Sequence, residues 1–158
     1  MSPRPDQSSD VIARAVLENE IGQIVDTLDD RDIPLRVLGS LGVSLHCPSS
    51  AALVPAFERA YADIDVVGYR RDVGAVSNLL GSLGYVEDRE VAMTSEGRRG
   101  LYDHPTTGIH IDVFFDRLEF CHQIPLDGRL EQDRPTIPLA ELLLSKLQIV
   151  KINEKDVV

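Results

Sequence analysis

The sequence has 158 residues, enough for one compact domain with a buried core. Hydrophobic residues make up 43% and charged residues 27%, an ordinary globular balance, and no apolar run approaches the ~20 residues that a membrane-spanning helix needs. The formal charge of −10 argues against broad, nonspecific binding of nucleic acid, which depends on many phosphate contacts, although it leaves room for an RNA substrate at one local patch.

The N-terminal half is predicted to alternate helices and strands. Residues 1–9 are polar and lack the apolar segment of a secretory signal, so we expect a disordered tail on a cytoplasmic protein. Residues 10–158 are expected to form one domain. Its first predicted elements are a helix over about 10–28, a strand over 34–38, a helix over 41–47 and a strand over 63–69.

The second half adds strands and two helices. The apolar spacing of Val73, Val76, Leu79, Leu80 and Leu83 predicts a helix that ends at Gly84. Further predicted elements are strands over 85–91, 100–104, 109–115 and 118–124, a turn over 106–108, a helix starting at Pro138, and a last helix, from 155, that is cut short. Together they indicate an α+β or α/β-like fold, a small mixed sheet with helices packed mainly on one side.

Two groups of residues receive a structural interpretation. The pairs His46-Cys47 and Cys121-His122 contain zinc-ligand types. Neighbouring residues on a strand point to opposite faces, so buried structural thiols are favoured over a zinc site. The two tight arginine pairs, 70–71 and 98–99, are expected to be solvated side chains at the ends of strands and helices.

Three aspartates are the main candidates for chemistry. Asp63 and Asp65 are two residues apart on a predicted strand, so both carboxylates leave the same face. Asp112 lies in an otherwise apolar strand, where a buried carboxylate is costly unless it is paired or bound to a metal. Converging carboxylates repel one another, and oxygen ligands of this kind suit Mg²⁺ or Mn²⁺. Taken alone, an Asp-x-Asp pair is more often solvated or capping a turn.

A glycine-serine turn (Gly39 and Ser40) strengthens the metal hypothesis. The turn follows an apolar strand and opens a helix, so backbone N–H groups and the Ser40 hydroxyl are placed to face a triphosphate. The turn precedes the two strand aspartates, and the third aspartate follows later in the chain. The three features together are more specific than any one of them alone.

That combination of features resembles the nucleotidyltransferase superfamily with the polymerase-β-like core. The stretches that carry the resemblance are residues 37–40, 62–66 and 110–114, within about residues 34–115. In this sequence 22 residues separate Ser40 from Asp63, so an insertion over 48–60 must fold away. The chain looks most like the minimal and AbiEii-type branches, which include toxin–antitoxin enzymes that modify RNA or protein.

The resemblance implies roles for individual residues. Asp63, Asp65 and Asp112 would bind Mg²⁺ or Mn²⁺ and serve catalysis, with Asp112 acting as, or positioning, the base for an acceptor hydroxyl. Lys146, followed by Lys151 and the 155–156 pair, would approach the phosphates of an NTP such as ATP. Arg59 is a further candidate phosphate contact. For Lys146 and Arg59, an ordinary surface position is at least as well supported by the sequence.

Two further functions stay open at this level. The first is a non-catalytic domain that senses nucleotides with the same fold. The second is a toxin–antitoxin protein that mainly binds a partner, either an antitoxin or a second copy in a homodimer. His110 shares a strand face with Asp112, but a packed or solvent-facing histidine is favoured over one that assists proton transfer. The acceptor in the enzyme hypothesis is RNA, protein or a small molecule.

Overall fold

A five-stranded mixed sheet organises the chain in the computed structural model, which describes residues 14–49 and 63–148. The strands lie in the order β1-β2-β5-β4-β3, and every neighbouring pair is antiparallel except β2 with β5, which is parallel. The strands are β1 (Leu35–Leu38), β2 (Asp63–Gly68), β3 (Val86–Glu87), β4 (Arg99–Asp103) and β5 (His110–Phe115). A separate hairpin consists of β6 (Arg117–Glu119) and β7 (Gln123–Pro125).

Helices pack on both faces of this sheet. They are α1 (Arg14–Asp29), α2 (Gly39–His46), α3 (Val73–Ser82), α4 (Arg89–Thr94) and α5 (Leu139–Leu147), with a short 3₁₀ turn over Arg70–Asp72 before α3. On one face, α1 and α3 cover the alternating apolar residues of the strands. On the other face, α5, the β6–β7 hairpin and the 126–137 segment form a second, smaller core.

The period of the sequence explains which residues enter each core. On β2, Ile64 and Val66 point to the first core while Val67 points to the second. Helix α1 buries residues at three- and four-residue intervals along one side, the stripe expected of a helix on a sheet. Its buried residues are Leu17, Ile21, Ile24, Val25 and Leu28. The predicted α+β class with a mixed sheet is confirmed.

Two predicted strands were wrong. The strand expected over 85–91 is only the two-residue β3, because the Asp88 side chain accepts hydrogen bonds from the N–H groups of Glu90 and Val91 and starts α4 instead. The strand expected over 118–124 is broken into β6 and β7, which pair with each other as a hairpin. Apolar content alone did not reveal either the cap or the turn.

Some predictions fall outside the described residues. They are the disordered tail over 1–9, the helix start near residue 10, the insertion over 48–60, and the final helix from residue 155. Among the helices in the described ranges, none combines the length and apolar character needed to cross a membrane.

Candidate functional site

Parallel pairing of β2 with β5 brings two of the predicted aspartates side by side. Asp65 lies opposite Asp112 in the register, and Asp63 lies opposite His110. Since Ile64 and Ile111 point into the first core, the three aspartates leave the opposite face of the sheet. Asp65 is half-buried and Asp63 is exposed at the start of β2.

The glycine-serine turn lies directly against Asp65. Leu38, the last residue of β1, pairs with Asp65, and the chain then turns into α2 through Gly39 at a φ of 68°. A Cβ at position 39 would overlap the Oδ2 atom of Asp65, so only glycine permits this approach. The start of α2 therefore lies close against the Asp65 carboxylate.

Helix α5 adds a basic group to the same place. The Lys146 Nζ atom donates a hydrogen bond to the Ser40 Oγ atom at 3.4 Å. Gly42 allows α2 and α5 to pack closely, since a Cβ there would lie 3.3 Å from the Leu142 Cδ1 atom. The structure thus brings Lys146 next to the Gly39-Ser40 turn, which lies more than a hundred residues earlier in the sequence.

The carboxyl group of Asp65 has a strongly shifted pKa. Burial, followed by the nearby charges of Asp112 and Asp63, raises the pKa of its carboxyl to about 6. Lys146 and Arg99 lower the pKa by smaller amounts. The negative charges of the aspartates are therefore only partly compensated by the protein itself.

Arg99 is a site residue that the sequence analysis missed. Its Nε atom donates to the Asp112 Oδ1 atom at 2.8 Å, and its Nη2 atom donates to Oδ2 at 2.5 Å. Its guanidinium also lies over the Phe114 ring, 5.5 Å from the centroid. Arg99 is exposed at the start of β4, as expected of a solvated arginine, but its contact with Asp112 was not predicted. The signal that would have found it is the antiparallel pairing of β4 with β5, which a single sequence does not reveal.

The neighbouring arginines contact other groups. Arg98 pairs with Glu96 and, at 3.8 Å, with Glu119. Arg71 lies over the Tyr69 ring at 4.5 Å, and Arg70 donates to the backbone carbonyl of Glu96. Of these four arginines, Arg99 is the one seen bonded to a predicted site aspartate.

A cleft of about 470 Å³ opens beside the aspartates. One wall is aromatic, with the Phe114 and Phe120 rings tilted against each other at a centroid distance of 6.4 Å. The lining residues are Leu38, Gly39, Asp65, Phe114, Phe120, Cys121, Ser145, Lys146 and Gln148. The volume lies within the range of small-molecule sites.

The chemistry of the three carboxylates suits a divalent cation that prefers oxygen ligands. In the structure, however, the three carboxylates are not drawn together around one point. Among the described residues, no three His, Cys, Asp or Glu side chains are grouped closely enough to hold a metal ion. The pKa of Asp65 is raised first by burial and then by the charges of Asp112 and Asp63, and a bound cation would favour its ionised form.

The remaining sequence candidates make other contacts. His110 is exposed and pairs with Asp103 across β4 and β5, in agreement with the solvent-facing position expected for it. Cys47 and Cys121 are both exposed, so the expectation of buried thiols was wrong. His46 contacts the Ile137 carbonyl and Asp133 rather than a thiol. Arg59, Lys151 and the 155–156 pair lie outside the described residues.

Comparisons with known proteins bear on the fold. No family model and no curated protein matches the chain. A crystal structure of a protein from Thermotoga maritima, described as a candidate nucleotidyltransferase, is similar over 89% of each chain with a TM-score of 0.53 and 15% sequence identity. At that identity the similarity shows the fold and does not identify a particular branch of nucleotidyltransferases. The chain therefore has a nucleotidyltransferase-like fold.

Proposed function

We propose that the protein is a metal-dependent nucleotidyltransferase that moves an NMP from an NTP to an acceptor hydroxyl and releases pyrophosphate. The observation that carries this proposal is the placement of Asp65 and Asp112 in register on β2 and β5, directly against the glycine-serine turn. The acceptor is RNA, protein or a small molecule, and the placement in the AbiEii-type branch stays a prediction.

The NTP phosphates would lie over the start of α2. Backbone N–H groups at a helix N-terminus are unsatisfied and attract anions, and Ser40 adds a hydroxyl there. Lys146, bonded to that hydroxyl, is placed to contact the same phosphates. Arg59 would add a further contact, as predicted from the sequence. The aromatic wall formed by Phe114 and Phe120 offers a face on which the base can stack.

The aspartates would serve two purposes. Asp63, Asp65 and Asp112 would hold Mg²⁺ or Mn²⁺, which when bound neutralises charge on the phosphates and the leaving group. Asp112 would orient the acceptor hydroxyl and receive its proton. The acceptor oxygen then forms a bond to the α-phosphorus, the bond to the bridging oxygen breaks, and pyrophosphate leaves with that electron pair. Positioning and charge neutralisation would provide most of the catalysis.

Calorimetric titration of ATP, CTP, GTP and UTP, each with and without Mg²⁺, tests the proposal. We expect one nucleotide to bind only with Mg²⁺, and the Asp63→Ala/Asp65→Ala variant to lose that binding. Asp103→Ala is the matched control, because Asp103 is a carboxylate on the same sheet face that contacts His110 instead. Binding that survives the double substitution, or no binding of any nucleotide to the folded wild type, would refute the proposed site.

One observation favours a second candidate function. The two hydrogen bonds from Arg99 occupy both oxygens of Asp112. In the proposed enzyme, Asp112 is the residue that receives the proton of the acceptor hydroxyl. A nucleotide sensor that binds NTP without transfer would tolerate this pair. Pyrophosphate release, measured with the preferred NTP and a mixture of acceptors, separates the two functions, because only the enzyme releases pyrophosphate.

A further inference from the structure

The contact between Arg99 and Asp112 is built into the sheet. In the pairing of β4 with β5, Leu101 lies opposite Asp112 and Arg99 lies opposite Phe114, so the arginine reaches diagonally back to the aspartate. Both of its bonds are made by the planar fork of the guanidinium, the geometry that favours a carboxylate over other partners. The Asp112 side chain is only 13% exposed, which limits competition from water.

Two other contacts hold Arg99 in that position. The Arg99 backbone is tied to the end of α4, since its N–H donates to the Ser95 Oγ atom at 3.2 Å and its carbonyl accepts from the same hydroxyl at 2.9 Å. The guanidinium also lies over the Phe114 ring. The positive charge therefore has support from the strand, from the helix end and from an aromatic face.

The Arg99–Asp112 pair makes the negative charge unequal among the three aspartates. Asp112 already has a monovalent cation on both oxygens, whereas Asp63 and Asp65 lie on the next strand, beyond the two bonds of Arg99. A divalent ion that approaches Asp112 meets the repulsion of the guanidinium and must compete for the same oxygen atoms. An ion that approaches Asp63 and Asp65 does not compete for the oxygen atoms bonded to Arg99, although the charges of Lys146 and Arg99 also act on Asp65.

We infer that Arg99 supplies the neutralising charge at Asp112, so that the site takes one divalent cation, on Asp63 and Asp65, rather than two. This inference rests on the proposed function and narrows its metal ligands from three aspartates to Asp63 and Asp65. In this arrangement Arg99 is a positioning residue that orients Asp112. The Arg99–Asp112 pair then forms the side of the site that binds the acceptor hydroxyl.

Binding of Mn²⁺ alone, followed by the electron paramagnetic resonance signal of the free ion, tests the inference without any turnover. We expect one Mn²⁺ per chain in the wild type and two in Arg99→Met, which keeps an unbranched stem and removes the charge and the hydrogen-bond donors. Adding Asp112→Asn to Arg99→Met should return the count to one. Arg99→Lys should retain a count of one, because a lysine keeps the positive charge beside Asp112.

Controls separate the outcomes. Arg98→Met removes a neighbouring arginine that pairs with Glu96 and Glu119, and it should leave the count at one. Two Mn²⁺ in the wild type, or one in a folded Arg99→Met variant, would overturn the inference while leaving the metal site in place. No Mn²⁺ in either protein would overturn the proposed function and the inference together. Circular dichroism of each variant verifies that it is folded.

Discussion

Asp65 lies between the glycine-serine turn and Asp112, where burial and two like charges make its ionised form unfavourable. Its pKa rises from 3.8 to about 6 in the folded protein, so the folded state binds the proton more tightly than the unfolded state does. The resulting stability is fully present below pH 3.8 and is lost as the pH rises through about 6. A carboxylate kept at such a cost in stability is typical of functional sites.

Asp65→Asn should therefore stabilise the metal-free protein at pH 7.5 and have little effect at pH 4. The expected gain at pH 7.5 is about 2 kcal/mol, allowing for partial exposure of the side chain. Urea unfolding at the two pH values, without divalent ions, measures it. Asp63→Asn is the matched control, since Asp63 is exposed and should change the free energy of unfolding by less than about 0.5 kcal/mol. An equal effect of Asp65→Asn at both pH values would show that packing, not charge, is responsible.

The sequence was sufficient to find the aspartates and not their cationic neighbour. Asp63, Asp65 and Asp112 are recognisable because each interrupts or borders an apolar strand, where a carboxylate is costly. Arg99 stands at the start of a strand beside another arginine, a position where arginines are commonly solvated. Its role depends on which strand β4 pairs with and in which register, and one sequence does not contain that information.

Among the elements, α5 links the second core to the glycine-serine turn. Leu142 is 1% exposed and packs into that core, while Lys146, one turn later, reaches Ser40. Other leucines of this helix point away from the core. These exposed residues are Leu139, Leu143, Leu144 and Leu147. Leu142 and the close approach allowed by Gly42 therefore contribute to the position of Lys146, together with the buried Glu141, which pairs with Arg129.

Leu142→Ala should lower the free energy of unfolding by about 2–5 kcal/mol, because it leaves a cavity in the second core. Leu143→Ala, on the exposed side of the same helix, should lower it by less than about 1 kcal/mol. Chemical denaturation of both variants makes the comparison at equal helix propensity. Similar losses in the two variants would indicate that α5 is not anchored through Leu142.

The elements with the clearest period were the ones predicted well. The helix after Val73 and the strands β2 and β5 follow from their apolar spacing, and α3 ends within two residues of its predicted stop. The short elements β3, α4, β6 and β7 depend on a single cap or turn. For these a residue such as Asp88 decides between helix and strand, and strand propensity over six or seven residues gave the wrong answer.

At the scale of the whole molecule, one sheet separates two cores and couples them. Val66 and Val67 are adjacent on β2 and both fully buried, but they belong to opposite cores. The catalytic candidates lie on the face of the second, smaller core, where the sheet is not fully covered. The aspartates therefore lie on two interior strands of the sheet, and Asp65 lines the cleft.

Val66→Ala and Val67→Ala should each lower the free energy of unfolding by about 1–3 kcal/mol in one cooperative transition. The physical reason is that β2 and β5 contribute residues to both cores, so neither core can melt without the shared strands. Far-UV circular dichroism and tyrosine fluorescence measure the transitions, since Tyr69 reports on the second core and Tyr102 on the first. Separate transitions in the Val67→Ala variant would contradict the coupling.

The sequence by itself determined the α+β class, the strand that carries Asp63 and Asp65, and the third aspartate on a later strand. Periodicity and the cost of burying charge are local properties, and both can be read from neighbouring residues. Only the tertiary structure decided that Asp65 and Asp112 share a register, that Lys146 meets Ser40, and that Arg99 binds Asp112. Those contacts join residues distant in the chain, and strand order and helix packing, which create them, depend on the free energy of the whole fold.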